Sequence, residues 1–143
     1  MALSPQAFER FCQRLLREAG FEQVEVTGRS GDGGIDGVGL FLINGLLSRR
    51  VLFQCKRYGS GHVVGSSAVR DFRGAMMGRT ESAIIVTTST FSPEARREAG
   101  RDGVPAIELL DMERIVDLCR NFQLGLKAVQ TFVLDRAFFQ QFD

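Results

Sequence analysis

Residues 49–58, RRVLFQCKRY, carry an amide and an amine two positions apart, Gln54 and Lys56, among apolar neighbours. In an extended run side chains alternate, so Leu52, Gln54, Lys56 and Tyr58 share one face. Val51, Phe53, Cys55 and Arg57 share the other. Packing gives such a strand little reason to send both polar groups to the same side. The preceding run, DGVGLFLI at 36–43, begins with an aspartate, and Asn44-Gly45 between the two runs is a turn signal. With residues 43 and 49 opposite, Asp36 falls across from Lys56 and diagonal to Gln54. Any nearby register of the same parity keeps all three on one face.

That grouping has a chemical use. Asp36 offers an anionic oxygen and Gln54 a neutral one, both hard ligands suited to Mg²⁺. Water bound to such a cation loses a proton more easily. Lys56 can orient that water, help deprotonate it, or balance charge building on a phosphorus centre. Every basic residue is arginine except Lys56 and Lys127, and only lysine can plausibly lose a proton there. Spacing alone also admits an ordinary Asp36–Lys56 cross-strand ion pair with Gln54 as a spectator.

Other chemistries fit less well. The stretch GRSGDGGIDG at 28–37 is half glycine, but no lysine follows it as a phosphate-binding P-loop requires. A calcium loop counted from Asp32 would want glutamate where Ile43 stands. The single histidine, His62, sits in a glycine-rich loop and reads as solvated surface, and no nucleophile–histidine–acid grouping is present. Cys12, Cys55 and Cys119 lack metal-ligand spacing and read as small buried hydrophobes.

The flanking elements must position Asp36, Gln54 and Lys56. Ser4-Pro5 predicts a helix start, with Phe8, Phe11, Cys12, Leu15 and Ala19 at helical spacing and Gly20 as its stop. Glu9 falls at the border of that apolar stripe, beside Leu16. Strands over 23–27, 36–43 and 49–58 predict an antiparallel meander. Ser66 then caps a helix with Val69, Phe72 and Met76 inward, closed by Gly78. A doubly covered strand follows over 82–88. Ser92-Pro93 opens a short helix ending near Gly100, 104–110 forms a fifth strand, and Asp111 caps a helix to about Cys119. The fold class is therefore α/β, a mixed sheet of about five strands with helices on both faces. The hydroxyls of TTSTFS at 87–92 close a buried strand at a helix start, a place that can take a phosphate.

At 143 residues, 44% hydrophobic and 24% charged, the chain fits one soluble domain. Its net charge of +1 announces no global field for nucleic acid. Without a membrane-length apolar run or a signal peptide in MALSPQAFERF, the expected location is cytoplasmic. The tail from Asn121 to Asp143 holds Val129, Phe132, Val133, Phe138, Phe139 and Phe142. It is expected to pack on the domain or, failing that, on a dimer partner.

AFERFCQRLLREAGFEQVEVTGRSGDGGIDGVG, then VLFQCKRY, VGSSAVRDFRGAM and IIVTTSTFSPEARREA, resemble the catalytic domain of Mrr-type restriction endonucleases, in the PD-(D/E)xK nuclease superfamily. GDGGIDG followed by QCKRY within one meander is a specific match. The resemblance implies an αβββαβ core over residues 1–120, with 121–143 as a Phe-rich extension, and a Mg²⁺-dependent DNA endonuclease in which Mn²⁺ can substitute. Asp36, Gln54 and the Cys55 main-chain carbonyl correspond to the metal ligands, Lys56 to the catalytic lysine, and Glu9 to an acid that completes the site. Gln54 stands where many superfamily members have a carboxylate, which costs the metal one formal charge. Arg29, Arg57, Arg70 and Arg73 are the expected DNA contacts; otherwise each is a solvated surface residue. Duplex DNA is the expected partner and a homodimer the expected assembly. No DNA-reading domain is recognisable beside the core, so the expected target is supplied by a separate domain or subunit, or cleavage is not selective at all. A Holliday-junction-type resolvase, or an idle DNA-binding module, shares the same core.

Overall fold

The structure is a computed structural model that describes residues 3–29, 35–59, 61–76 and 82–143. Helix α1 (Pro5–Glu18) begins where Ser4 Oγ accepts from the Ala7 N–H at 3.1 Å and Pro5 presets the first turn. Strands β1 (Phe21–Arg29), β2 (Ile35–Leu42) and β3 (Ser48–Lys56) form the antiparallel meander. Then come β4 (Val63–Val64), α2 (Ser66–Met76), β5 (Ser82–Thr87), β6 (Thr90–Phe91) and α3 (Pro93–Ala99). The chain closes with β7 (Ile107–Leu110), α4 (Met112–Phe122) and α5 (Arg136–Gln140).

The main sheet has the order β1-β2-β3-β5-β7, with β5 parallel to both β3 and β7. Parallel neighbours need crossovers, and α2 and α3 provide them. The short parallel pair β4–β6 has no precursor in the sequence pattern, because two-residue strands cannot show alternation. Ser66 opens α2 rather than preceding it, and the expected stop at Gly78 lies outside the described residues.

Two apolar layers cover the sheet. Phe8, Cys12, Leu15 and Leu16 of α1 and Ile115 and Cys119 of α4 pack on Phe53, Cys55 and Val86. On the opposite face Val69, Phe72 and Met76 of α2 and Ala95 and Ala99 of α3 pack on Leu52, Ala83 and Ile85. Alternation along β3 thus assigns its odd residues to the α1 side and its even residues to the α2 side. Gly37 is tied to this arrangement. A Cβ there would run into the Phe53 ring and approach the Glu25 carbonyl at 2.5 Å, so only glycine lets β1 and Phe53 come this close.

Three expectations need correction. β1 does not alternate cleanly: its register shifts between Glu22 and Glu25 and again between Val26 and Gly28, and Gln23 has φ 51°. The β2–β3 register differs by two positions from the one predicted, with Leu42 facing Ser48 and Asp36 facing Gln54 rather than Lys56. The cause is the connection. Asn44 Oδ1 accepts from Leu46 N at 2.8 Å and Leu47 N at 3.0 Å, and Ile43 N donates to Leu47 O, so the five-residue turn spans 43–47, one residue earlier than the 44–48 that the predicted pairing implied. Finally, the tail does not pack on the domain. Leu124 is half-buried against the α1–α4 layer, but every residue beyond it is exposed, Phe132 at 91%. Gln123, at φ 56°, ends α4 and turns the chain away.

Candidate active site

β3 carries the polar pair because its even positions run from the α2 layer into the strand's C-terminal end. Leu52 is core, and Gln54 and Lys56 follow on the same face at 7% and 2% exposure. Burial of an amide and an amine is costly unless each finds a partner. Lys56 Nζ lies 6.0 Å from the centre of the Tyr58 ring. Gln54 Oε1 is buried and accepts no hydrogen bond among the described residues. An orphaned carbonyl oxygen of this kind costs on the order of 1–3 kcal/mol, and it is a ready hard ligand for a cation.

Asp36 is the register partner of Gln54, and alternation assigns its position to the same sheet face. The atoms of its side chain, like those of Asp32 and Arg29, lie outside the described residues. Asp36 stands beside the amide instead of the amine, and Lys56 is one even position farther along.

Cys55 points the other way. Its thiol meets Cys12 of α1, and both side chains are buried. A hydrogen bond to Cys55, together with burial, pushes the Cys12 thiol well above its usual pKa, and charge on Cys55 and Glu9 adds to the rise. All three cysteines are free and buried, as their composition implied. Glu9 is half-buried one turn before Cys12. Arg57 Nε donates to the Leu3 carbonyl at 2.6 Å, so α1 runs antiparallel to β3, with Leu3 at Arg57 and Cys12 at Cys55. Glu9 lies on the helix that covers the face opposite to Gln54 and Lys56.

The arginines divide. Arg57 and Arg70 are exposed, the latter 3.3 Å from Ser66 Oγ. Arg73 is 5% exposed and cannot serve as a DNA contact. Its Nη1 meets Glu98 Oε1 at 2.6 Å, while Nη2 and Nε donate to the carbonyls of Glu98, Ala99 and Pro105. Helical spacing did not separate it from Arg70; the acid that buries it lies on another helix. Three of the five hydroxyls of TTSTFS are also engaged by protein. Thr87 and Thr88 bond the backbone after β3, and Ser92 Oγ accepts from Ala95 N at 3.0 Å to cap α3. Those three are taken up by protein groups, and this clamp on the end of β3 was not visible in the sequence.

A five-stranded mixed sheet flanked by helices, with an amide and a lysine buried at the end of its third strand, defines a restriction-endonuclease-like fold. The Mrr catalytic-domain family, described as restriction endonuclease, matches residues 1–119, and the chain belongs to it. It is 31% identical over 133 residues to the type IV methyl-directed restriction enzyme EcoKMrr of Escherichia coli (strain K12), covering 90% of this chain and 42% of that protein. Among solved structures it resembles the DNA modification-dependent restriction endonuclease AspBHI, with TM-score 0.70 and 27% identity over 85% of this chain and 32% of that one. MspJI restriction endonuclease, solved in complex with a 27-mer oligonucleotide, shares the fold at TM-score 0.55 and 21% identity, over 81% of this chain and 27% of that one. The chain thus spans less than half the length of each of these proteins.

Proposed function

We propose that the chain is the catalytic domain of a divalent-metal-dependent DNA endonuclease that hydrolyses phosphodiester bonds in duplex DNA. The observation that carries the reading is the buried Gln54 Oε1, without a donor among the described residues, with Asp36 opposite in the ladder and Lys56 two residues on. Asp36, Gln54 and the Cys55 main-chain carbonyl would hold the cation, Mg²⁺ with Mn²⁺ as a substitute. When bound, the cation supplies a Lewis acid that lowers the pKa of water and offsets charge on the phosphate. Lys56 then orients the attacking water and holds a proton at Nζ close to the phosphate oxygens, while the apolar layer around Leu52 keeps bulk solvent away. Glu9 completes the site from the α1 side of the strand end. Arg29, Arg57 and Arg70 contact the DNA backbone as charge-assisted donors.

The names of EcoKMrr and AspBHI support a preference for modified DNA, read by a separate domain or subunit. The exposed Phe132, Val133, Phe138, Phe139 and Phe142 offer a surface for a homodimer, which double-strand cleavage requires. The setting is cytoplasmic, and no helix among the described residues is long and apolar enough to cross a membrane.

The test is cleavage of methylated and unmethylated plasmid with Mg²⁺, Mn²⁺ or EDTA, by wild type and Asp36→Ala. Wild type should cut only with a divalent ion, and Asp36→Ala should lose cleavage while keeping its circular dichroism spectrum. Unimpaired cutting by the variant would overturn the assignment. Faster cutting of a four-way junction than of linear duplex would replace restriction with a structure-specific repair role.

A further inference from the structure

The β3–β5 ladder ends at Lys56, whose register partner is Thr87. The residues just past that point, 57–59 and 88–89, belong to no strand, yet they are still tied down. Thr87, with 0% exposure, donates its hydroxyl to the Lys56 carbonyl at 2.8 Å and accepts from Ser89 N at 3.1 Å. Thr88 N donates to the same Lys56 carbonyl at 3.3 Å. The Thr88 hydroxyl accepts from Tyr58 N at 2.9 Å and donates to the Tyr58 carbonyl at 3.0 Å, so one side chain engages both backbone polar groups of Tyr58. The Tyr58 ring lies 6.0 Å from Lys56 Nζ and stacks on His62 with centroids 3.8 Å apart.

We propose that Thr88 is a positioning residue for Lys56: its hydroxyl fixes the backbone and ring of Tyr58 and, with Thr87, holds the strand end that aims the lysine. Resting on the reading of Lys56 as catalytic, the role follows from what a clamp must do at this place. A strand end beyond its ladder frays, and a lysine on a four-carbon stem then samples many rotamers. Misplacement of a reacting group by about 1 Å costs up to roughly 100-fold in rate. Three side-chain bonds and one main-chain bond from Thr87 and Thr88, at and just past the end of β5, remove that freedom without touching the DNA.

The experiment compares Thr88→Val, which keeps the shape and loses both hydroxyl bonds, with Thr88→Ser, which keeps the hydroxyl. Plasmid cleavage is followed at a temperature where circular dichroism shows each protein fully folded. Thr88→Val is expected to lower kcat about 10- to 100-fold, with KM for DNA essentially unchanged, and Thr88→Ser to recover most of the loss. Wild-type kcat in Thr88→Val, a loss in KM instead of kcat, or failure of the serine variant to recover would overturn the proposal. Thr88→Ala takes the place of the valine variant if that one does not fold. Lys56→Ala is the control: wild-type cleavage by it overturns the functional reading itself, whereas an inactive Lys56→Ala beside a fully active Thr88→Val overturns only the positioning role.

Discussion

Gln54 is a costly residue where it stands. A buried amide oxygen without a donor is destabilising, and packing against Leu52 would favour an aliphatic side chain there. A neutral oxygen also binds a cation more weakly than a carboxylate does, since ligand charge contributes to affinity. Divalent ions should therefore stabilise the fold through this residue. Mg²⁺ at ten times its dissociation constant is expected to raise the melting temperature of the wild type by roughly 5 °C. In Gln54→Leu that rise should vanish, while the metal-free melting temperature moves above the wild type's as the orphaned amide is removed. Thermal denaturation with and without Mg²⁺ decides it, and an equal rise in both proteins would remove Gln54 from the ligand set. At this scale the sequence was informative: the residue types of Gln54 and Lys56 and the parity of β3 were enough to identify the polar face.

Between elements, Arg73 shows how far helical spacing can mislead. Arg70 and Arg73 lie one turn apart on α2, yet the first is exposed and the second ties α2 to α3 and to the segment before β7. Breaking a buried pair leaves an uncompensated charge and costs about 3–5 kcal/mol. Arg73→Met should accordingly lower stability by that order in urea titration, without changing the salt dependence of DNA binding. Arg70→Ala should do the reverse, reducing the salt slope by about one unit with little loss of stability. A stable Arg73→Met that binds DNA poorly would restore the residue to the DNA surface. The two-position register difference has the same origin. Asn44-Gly45 correctly announced a turn, but where that five-residue turn starts depends on where Asn44 Oδ1 finds its donors, and these are set when Leu46 and Leu47 close the loop.

For the whole molecule, the sheet and its two apolar layers form a self-contained unit that ends with α4 and Leu124. The segment beyond contributes one short helix with no buried residue and an exposed edge-to-face cluster of Phe138, Phe139 and Phe142. Deleting residues 128–143 should leave the melting temperature within about 2 °C of the full chain, because so little apolar area leaves the core. Light scattering of the same deletion tests the homodimer. Loss of self-association with an unchanged melting temperature is expected, and a large fall in melting temperature would mean that the tail packs on the domain in solution.

Sequence alone determined the order of the large elements, the caps at Ser4, Ser92 and Asp111, the buried face of α1, and the polar face of β3. These features follow from local periodicity and from side chains that bond within three or four residues. The tertiary structure decided the rest. It set Asp36 against Gln54, engaged Arg73 with Glu98, turned Thr87 and Thr88 onto the backbone of Lys56 and Tyr58, and left the aromatic tail uncovered. Each of these outcomes depends on a partner more than ten residues away or on a surface outside the chain. Local spacing contains no information about such distances, and only the closing of the sheet and its helices supplies it.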